Sequence, residues 1–157
     1  MYQLKVKGHF DAAHQLDDYV GKCHNLHGHR WDVEACLQGK KLDKLNMLID
    51  FSVVKSAMKD IFDLCLDHAY LNESITVRNP TAEFLAQWLY WQLCTWLPVS
   101  TVKLVSVTVW ESPECSVTYS YDEGSRDVVV PLSQSAYKDT SGLGAVRLEL
   151  MKIAGGK

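Results

Sequence analysis

The sequence predicts an α+β fold of order ββααββ, two strand hairpins around a pair of helices. Apolar and polar residues alternate from Tyr2 to Ala12 and again from Arg30 to Gln38. Two stretches between residues 50 and 98 switch to helical spacing behind capping residues, and alternation returns from Val105 to Tyr121. No repeat of the solenoid kind interrupts this order.

Tyr2, Leu4, Val6, Gly8, Phe10 and Ala12 occupy alternate positions of a first half-buried strand, and His14 continues the same face at its end. A polar loop from Gln15 to Leu26 follows. The second strand begins near His27, where Trp31, Val33, Ala35 and Leu37 alternate with Arg30, Asp32, Glu34 and Gln38. As antiparallel neighbours, these strands carry His14 toward His27 and His29. Asp50 caps a helix running to about Leu66, with Phe51, Val54, Met58, Ile61 and Cys65 on one face and Lys55 and Lys59 on the other. A loop holds Asp67-His68 and Asn72-Glu73. Asn79-Pro80-Thr81 opens the second helix, whose apolar ridge is Phe84, Leu85, Trp88, Leu89 and Trp96, and Pro98 ends it. Val105, Val107 and Val109 form a third strand ending at Glu111. Ser112-Pro113-Glu114 turns the chain into a fourth strand with Val117, Tyr119 and Tyr121. Residues 1–121 thus make one domain, and residues 122–157, richer in Gly, Ser and charge, read as a C-terminal extension of uncertain structure.

At 157 residues the chain suits a single domain with a sizeable core. A net charge of −3 gives no basic footprint for nucleic acid. The most apolar window, Phe84 to Val99, is broken by Gln87, Gln92 and Pro98 and is too short to span a membrane. The N-terminus shows no apolar signal core, and five scattered cysteines form no Cys-x-x-Cys pair. These features predict a soluble chain in the reducing cytoplasm.

The chemistry concentrates in Cys23-His24-Asn25-Leu26-His27-Gly28-His29. Two histidines around one glycine share a face of a strand, and His14 on the adjacent strand supplies a third imidazole. Three nitrogen ligands suit a catalytic zinc with one position open. Gly28, lacking a side chain, lets a ligand approach the backbone. Cys23 reads in two ways, as a fourth ligand or as a nucleophile or base beside the metal. It sits between Lys22 and His24, electropositive company of the kind reactive cysteines keep. Asp67-His68 pairs a carboxylate with an imidazole for acid–base work, although adjacent loop residues need not touch. Glu111 places a carboxylate where the strand pattern predicts an apolar residue, either a charge reaching water or a ligand anchor. His9 and His24 read as structural.

Together these pieces resemble the 6-pyruvoyltetrahydropterin synthase superfamily, and within it the 6-carboxytetrahydropterin synthase branch. The matching stretches are Phe10-Asp11-Ala12-Ala13-His14, Cys23 to His29, Met47 to Phe51, Leu66 to Asn72, Asn79 to Glu83 and Trp110-Glu111-Ser112. They run in family order from residue 2 to about 121. Three residues between Cys23 and His27 match the carboxy-forming branch, since the pyruvoyl-forming enzymes typically carry a longer insertion. A third branch places a glutamate in this loop, where the present chain has His24, Asn25 and Leu26.

The resemblance implies a tunnelling fold: a four-stranded antiparallel sheet with two helices on one face, joined between subunits into an oligomeric barrel. It implies a homohexamer of two trimers with active sites between subunits. Zn²⁺ would be bound by His14, His27 and His29, with Cys23 as general base and Asp67-His68 as proton relay. Glu111 would grip the guanidine-like edge of a pterin, and Thr81, Ala82 and Glu83 would line its pocket. The implied substrate is 7,8-dihydroneopterin triphosphate. The implied products are 6-carboxytetrahydropterin, acetaldehyde and triphosphate, early in queuosine and 7-deazapurine biosynthesis. Two rivals stand beside this reading: a pyruvoyl-forming synthase that only eliminates triphosphate, and a non-catalytic, zinc-stabilised pterin-binding module.

Overall fold

The structure is a computed structural model and describes residues 1–97 and 102–121. The expected extension 122–157 and the helix stop at Pro98 lie outside the described residues.

Two long strands begin the fold, β1 (Tyr2–His14) and β2 (His27–Gly39), paired antiparallel in continuous register from Tyr2↔Gly39 to His14↔His27. The first helix, α1 (Phe51–Cys65), starts where Asp50 accepts a hydrogen bond from the Ser52 backbone N–H at 2.8 Å. A two-residue strand, β3 (Ala69–Tyr70), and a single helical turn, α2 (Leu71–Ser74), come next. The long helix α3 (Ala82–Trp96) is capped by Thr81, whose hydroxyl accepts from the Phe84 N–H at 3.3 Å. Strands β4 (Lys103–Ser112) and β5 (Cys115–Ser120) close the sequence order as a hairpin.

Three expectations about the sheet are corrected. It has five strands rather than four, in the order β3-β1-β2-β4-β5, and it is not all antiparallel because β3 runs parallel to β1. The cause is local. The Asp67 carboxylate accepts from the Asp11 N–H at 2.9 Å, and the His68 N–H donates to the Asp11 carbonyl at 2.6 Å. With that crossing pinned, Ala69 and Tyr70 fall beside Ala12 and Ala13. Nor is the sheet a barrel: it is open, ending at β3 on one side and β5 on the other.

The alternation works as the period of two requires. Leu4, Val6, Phe10 and Ala12 of β1, Trp31, Val33, Ala35 and Leu37 of β2, and Val107 and Val109 of β4 all turn inward. They meet Val54, Met58, Ile61 and Phe62 of α1 and Leu85, Trp88, Leu89 and Leu93 of α3 in one core. The opposite face of the sheet is polar. There Glu34 pairs with Lys5 at 2.7 Å and Lys7 at 3.6 Å, and Arg30 donates to His9 at 2.7 Å. No helix among the described residues is long and apolar enough to cross a membrane.

Candidate metal centre

The register of the first hairpin builds the site. His14 is the last residue of β1 and His27 the first of β2, and they face each other directly, while His29 opposes Ala12. A period of two then puts His27, His29 and Trp31 on one face, at the end of the core. Trp31 is fully buried and forms the floor, with its ring centroid 5.0 Å from that of His14 and 5.3 Å from that of His29.

Glu111 approaches from β4. Its position shares the inward face with Val107 and Val109, and the β4–β5 pairing shifts register between Trp110 and Ser112. A bulge of this kind re-aims a side chain at a sheet's end. The carboxylate lands 3.2 Å from His29 Nε2 and 3.6 Å from His14 Nε2. The four ligand atoms of His14, His27, His29 and Glu111 all lie within 4.8 Å of one another.

Backbone carbonyls set the two facing rings. His14 Nδ1 donates to the Pro80 carbonyl at 2.9 Å, and His27 Nδ1 donates to the Asn25 carbonyl at 2.8 Å. A carbonyl only accepts, so each Nδ1 holds its proton, and in a neutral ring each Nε2 then presents a lone pair. Those two Nε2 atoms stand 3.1 Å apart. His29 Nε2 is buried without a hydrogen-bond partner, the nearby Glu111 oxygen lying outside bonding alignment. Lone pairs converging in this way call for a shared cation. A tetrahedral zinc with Zn–N bonds of about 2.05 Å sets its ligand atoms about 3.3 Å apart, close to the 3.1 Å between the His14 and His27 Nε2 atoms. Burial holds His14 and His29 below the ordinary imidazole value and so favours the neutral, ligating form, outweighing the upward pull of the Pro80 carbonyl at His14 and of Glu111 at both. The donor set therefore fits a divalent metal.

Cys23 is not in this cluster. It lies half-buried in a short 3-10 turn, Lys22–His24, between β1 and β2. The fourth group gathered with the imidazoles is Glu111, so the cysteine-plus-three-histidine site has no support in the geometry. Asp67 and His68 do touch, His68 Nδ1 standing 3.0 Å from Asp67 Oδ2. The bond from the Asp11 N–H is the main reason the Asp67 carboxyl sits below its usual range, with the His68 contact acting in the same direction. His68 has a left-handed backbone (φ 56°) and an 81% exposed side chain. An open cleft of about 510 Å³ is lined by Asp11, Gly28, His29, Arg30, His68 and Tyr70, so of the histidine cluster only His29 borders it.

The start of α3 reaches the cluster through the Pro80 carbonyl. The Thr81 hydroxyl is spent as the helix cap, Ala82 is in the core, and Glu83 is exposed. Three contributors escaped the sequence reading. Trp31 carried a usable signal, since it continues the His27-His29 face. The carbonyls of Asn25 and Pro80 carried none, because a backbone acceptor leaves no mark on residue identity.

Comparison with known proteins places this arrangement. A family profile described as 6-pyruvoyl tetrahydropterin synthase matches residues 3–122. The 6-carboxy-5,6,7,8-tetrahydropterin synthase of Synechocystis is 38% identical over 88 residues, covering 54% of this chain and 68% of that protein. The enzyme of the same name from Rickettsia conorii is 34% identical over 127 residues, covering 69% and 92%. Among solved structures, Caenorhabditis elegans 6-pyruvoyl tetrahydropterin synthase superposes with a TM-score of 0.68 at 25% identity, over 77% of this chain and 96% of that one. The Plasmodium vivax enzyme of that name shares the fold, with a TM-score of 0.62 at 21% identity over 77% and 98%. A profile matched across nearly all of the described sheet and helices settles membership: the chain belongs to the 6-pyruvoyl tetrahydropterin synthase family.

Proposed function

We propose that this chain is a zinc-dependent pterin synthase that eliminates triphosphate from 7,8-dihydroneopterin triphosphate. The observation that carries the reading is the convergence of His14, His27 and His29 beside Glu111. The three imidazoles would hold Zn²⁺, which supplies Lewis acidity to the oxygens of the substrate side chain. Cys23 takes a side-chain proton as general base. The Asp67–His68 pair moves protons as the ring tautomerises, the carboxylate fixing the imidazole's orientation. Glu111 accepts the two N–H groups of the pterin's guanidine-like edge. Thr81, Ala82 and Glu83 line the pterin pocket, partly through backbone groups. Residues 1–121 carry this activity, with 122–157 as an extension.

Elimination alone gives the 6-pyruvoyl product, the name borne by the family profile and the superposed nematode structure. A second reading has separate support. The Synechocystis and Rickettsia relatives bear the carboxy name, and the three-residue gap between Cys23 and His27 fits that branch. It adds one step: water entering across the bond between the two side-chain carbonyls yields a carboxylic acid and acetaldehyde. No outside oxidant is needed, and the product would stand early on the route to queuosine.

The exposed His68 fits a site shared between subunits, and the homohexamer itself is what the family resemblance implies. Five unpaired cysteines fit the cytoplasm as the compartment.

Incubation of the zinc-loaded protein with the substrate separates these readings. Triphosphate with a pyruvoyl pterin and no acetaldehyde establishes elimination. One acetaldehyde per triphosphate establishes the carboxy-forming reaction. Pterin binding without turnover sinks both and leaves a binding module.

A further inference from the structure

Asn72, at the second position of α2, uses its whole carboxamide. Its Oδ1 accepts from the Gln15 backbone N–H at 3.1 Å. Its Nδ2 donates to the Gln15 carbonyl at 2.9 Å and to the Arg78 carbonyl at 2.8 Å. Both N–H groups and the carbonyl oxygen are thus spent on backbone partners. Gln15 directly follows His14, and Arg78 lies two residues before Pro80, whose carbonyl receives the His14 Nδ1 proton. A closed ring results: imidazole, Pro80 carbonyl, backbone to Arg78, Asn72, Gln15, and back to His14. The side chain of Asn72 is the one link in that ring that is neither ligand nor main chain.

We propose that Asn72 is the positioning residue of His14, holding the separation between residues 15 and 78 at which the Pro80 carbonyl can fix the ring with Nε2 toward the cluster. The inference rests on the metal reading above and deepens it. A partner that orients a metal-binding histidine typically affects affinity by about 10–100-fold when lost, and Asn72 acts one step further out. The same two loops are also tied by Arg78 to Asp17 and Asp18, but these pairs are exposed, of the class that contributes little. They leave the backbone frame of His14 untouched. Arg78→Ala is therefore a control that cuts the loops' ion pairs alone.

The experiment compares wild type, Asn72→Asp, Asn72→Ser and Arg78→Ala by Co²⁺ titration, Co²⁺ visible absorption and thermal unfolding. Asn72→Asp keeps shape and the acceptor for Gln15 but turns two donations into repulsions, and Asn72→Ser serves should it fold poorly. The expected result is about tenfold weaker Co²⁺ binding with an altered absorption band in the Asn72 variants. Arg78→Ala should keep both within twofold. A second readout needs no metal: in the metal-free protein, the His14 ring N–H resonance in ¹⁵N-histidine-labelled samples should be protected in wild type and Arg78→Ala and exchange-broadened in the Asn72 variants. Wild-type Co²⁺ affinity and spectrum in both Asn72 variants, or an unchanged His14 resonance, overturns the positioning role alone. A wild type that binds no Co²⁺ overturns the metal reading, and the resonance still decides whether Asn72 holds the ring.

Discussion

Each imidazole of the cluster is held by a different partner: the distant Pro80 carbonyl for His14, the nearby Asn25 carbonyl for His27, and burial against Trp31 for His29. The types and spacing of these histidines are plain in the sequence, because a period of two fixes the face and the hairpin fixes the pairing. What sequence cannot show is the set of carbonyls behind them, or that Glu111 swings to the histidines at a bulge. Its inward parity was readable, but its 3.2 Å approach to His29 was not. Single substitutions sort the roles. His29→Ala removes a ligand whose Nε2 has no other hydrogen-bond partner, so metal analysis should find bound zinc reduced by at least tenfold. Cys23→Ala lies outside the cluster and should keep its zinc while losing turnover by about 10²-fold or more, the range for a missing acid–base group. Loss of zinc in Cys23→Ala would return the cysteine to the ligand set.

Helix caps and the long strands were legible because each rests on local chemistry, an oxygen accepting an orphan N–H or an alternation of many residues. β3 was not, since two residues carry no period and its pairing depends on Asp11, 56 positions from Asp67. The packing of α1 on β1 turns on Gly8. A Cβ built there meets the Phe62 ring at 3.0 Å and the Met58 methyl at 3.3 Å, and Phe62 is itself packed against Phe10 with centroids 5.2 Å apart. Overpacking costs about 1–3 kcal/mol, partly offset by about 0.5–1 kcal/mol from a less flexible unfolded chain, so Gly8→Ala should lose about 1 kcal/mol. A lower urea midpoint checks this, and an unchanged midpoint would mean the ring yields freely. At the start of α1, the Ser52 N–H holds the Asp50 carboxyl below its ordinary value of 3.8. A carboxylate depressed in the folded state stabilises above its unfolded value and loses that contribution as pH falls through the folded one. Asp50→Asn keeps a capping oxygen without the titration. Urea unfolding between about pH 4 and pH 2 should therefore be less pH-dependent in Asp50→Asn than in wild type. Equal slopes would show that the cap does not titrate with folding.

At the scale of the molecule, the chain gathers its candidate metal ligands but spreads the groups proposed for acid–base work. The histidines and Glu111 close on one another within one chain, while His68 stands exposed in the lining of a cleft that His29 also borders. Asp67 is anchored to β1 through the Asp11 N–H, and its His68 partner is 81% exposed. An exposed pair proposed for acid–base work makes sense when the group it serves belongs to another copy. Complementation tests this directly. Cys23→Ala and His68→Ala proteins, each inactive alone, are mixed, dissociated and reassembled. If a site takes Cys23 from one subunit and His68 from its neighbour, random assembly leaves about a quarter of sites with both native residues, so about a quarter of wild-type turnover should return. A site contained in one chain regains nothing, because every chain in the mixture lacks one of the two groups. Size-exclusion chromatography of the mixture must show the wild-type oligomer and zinc must stay bound. Under those conditions, absent recovery refutes the shared site and returns His68 to the surface of a self-sufficient subunit.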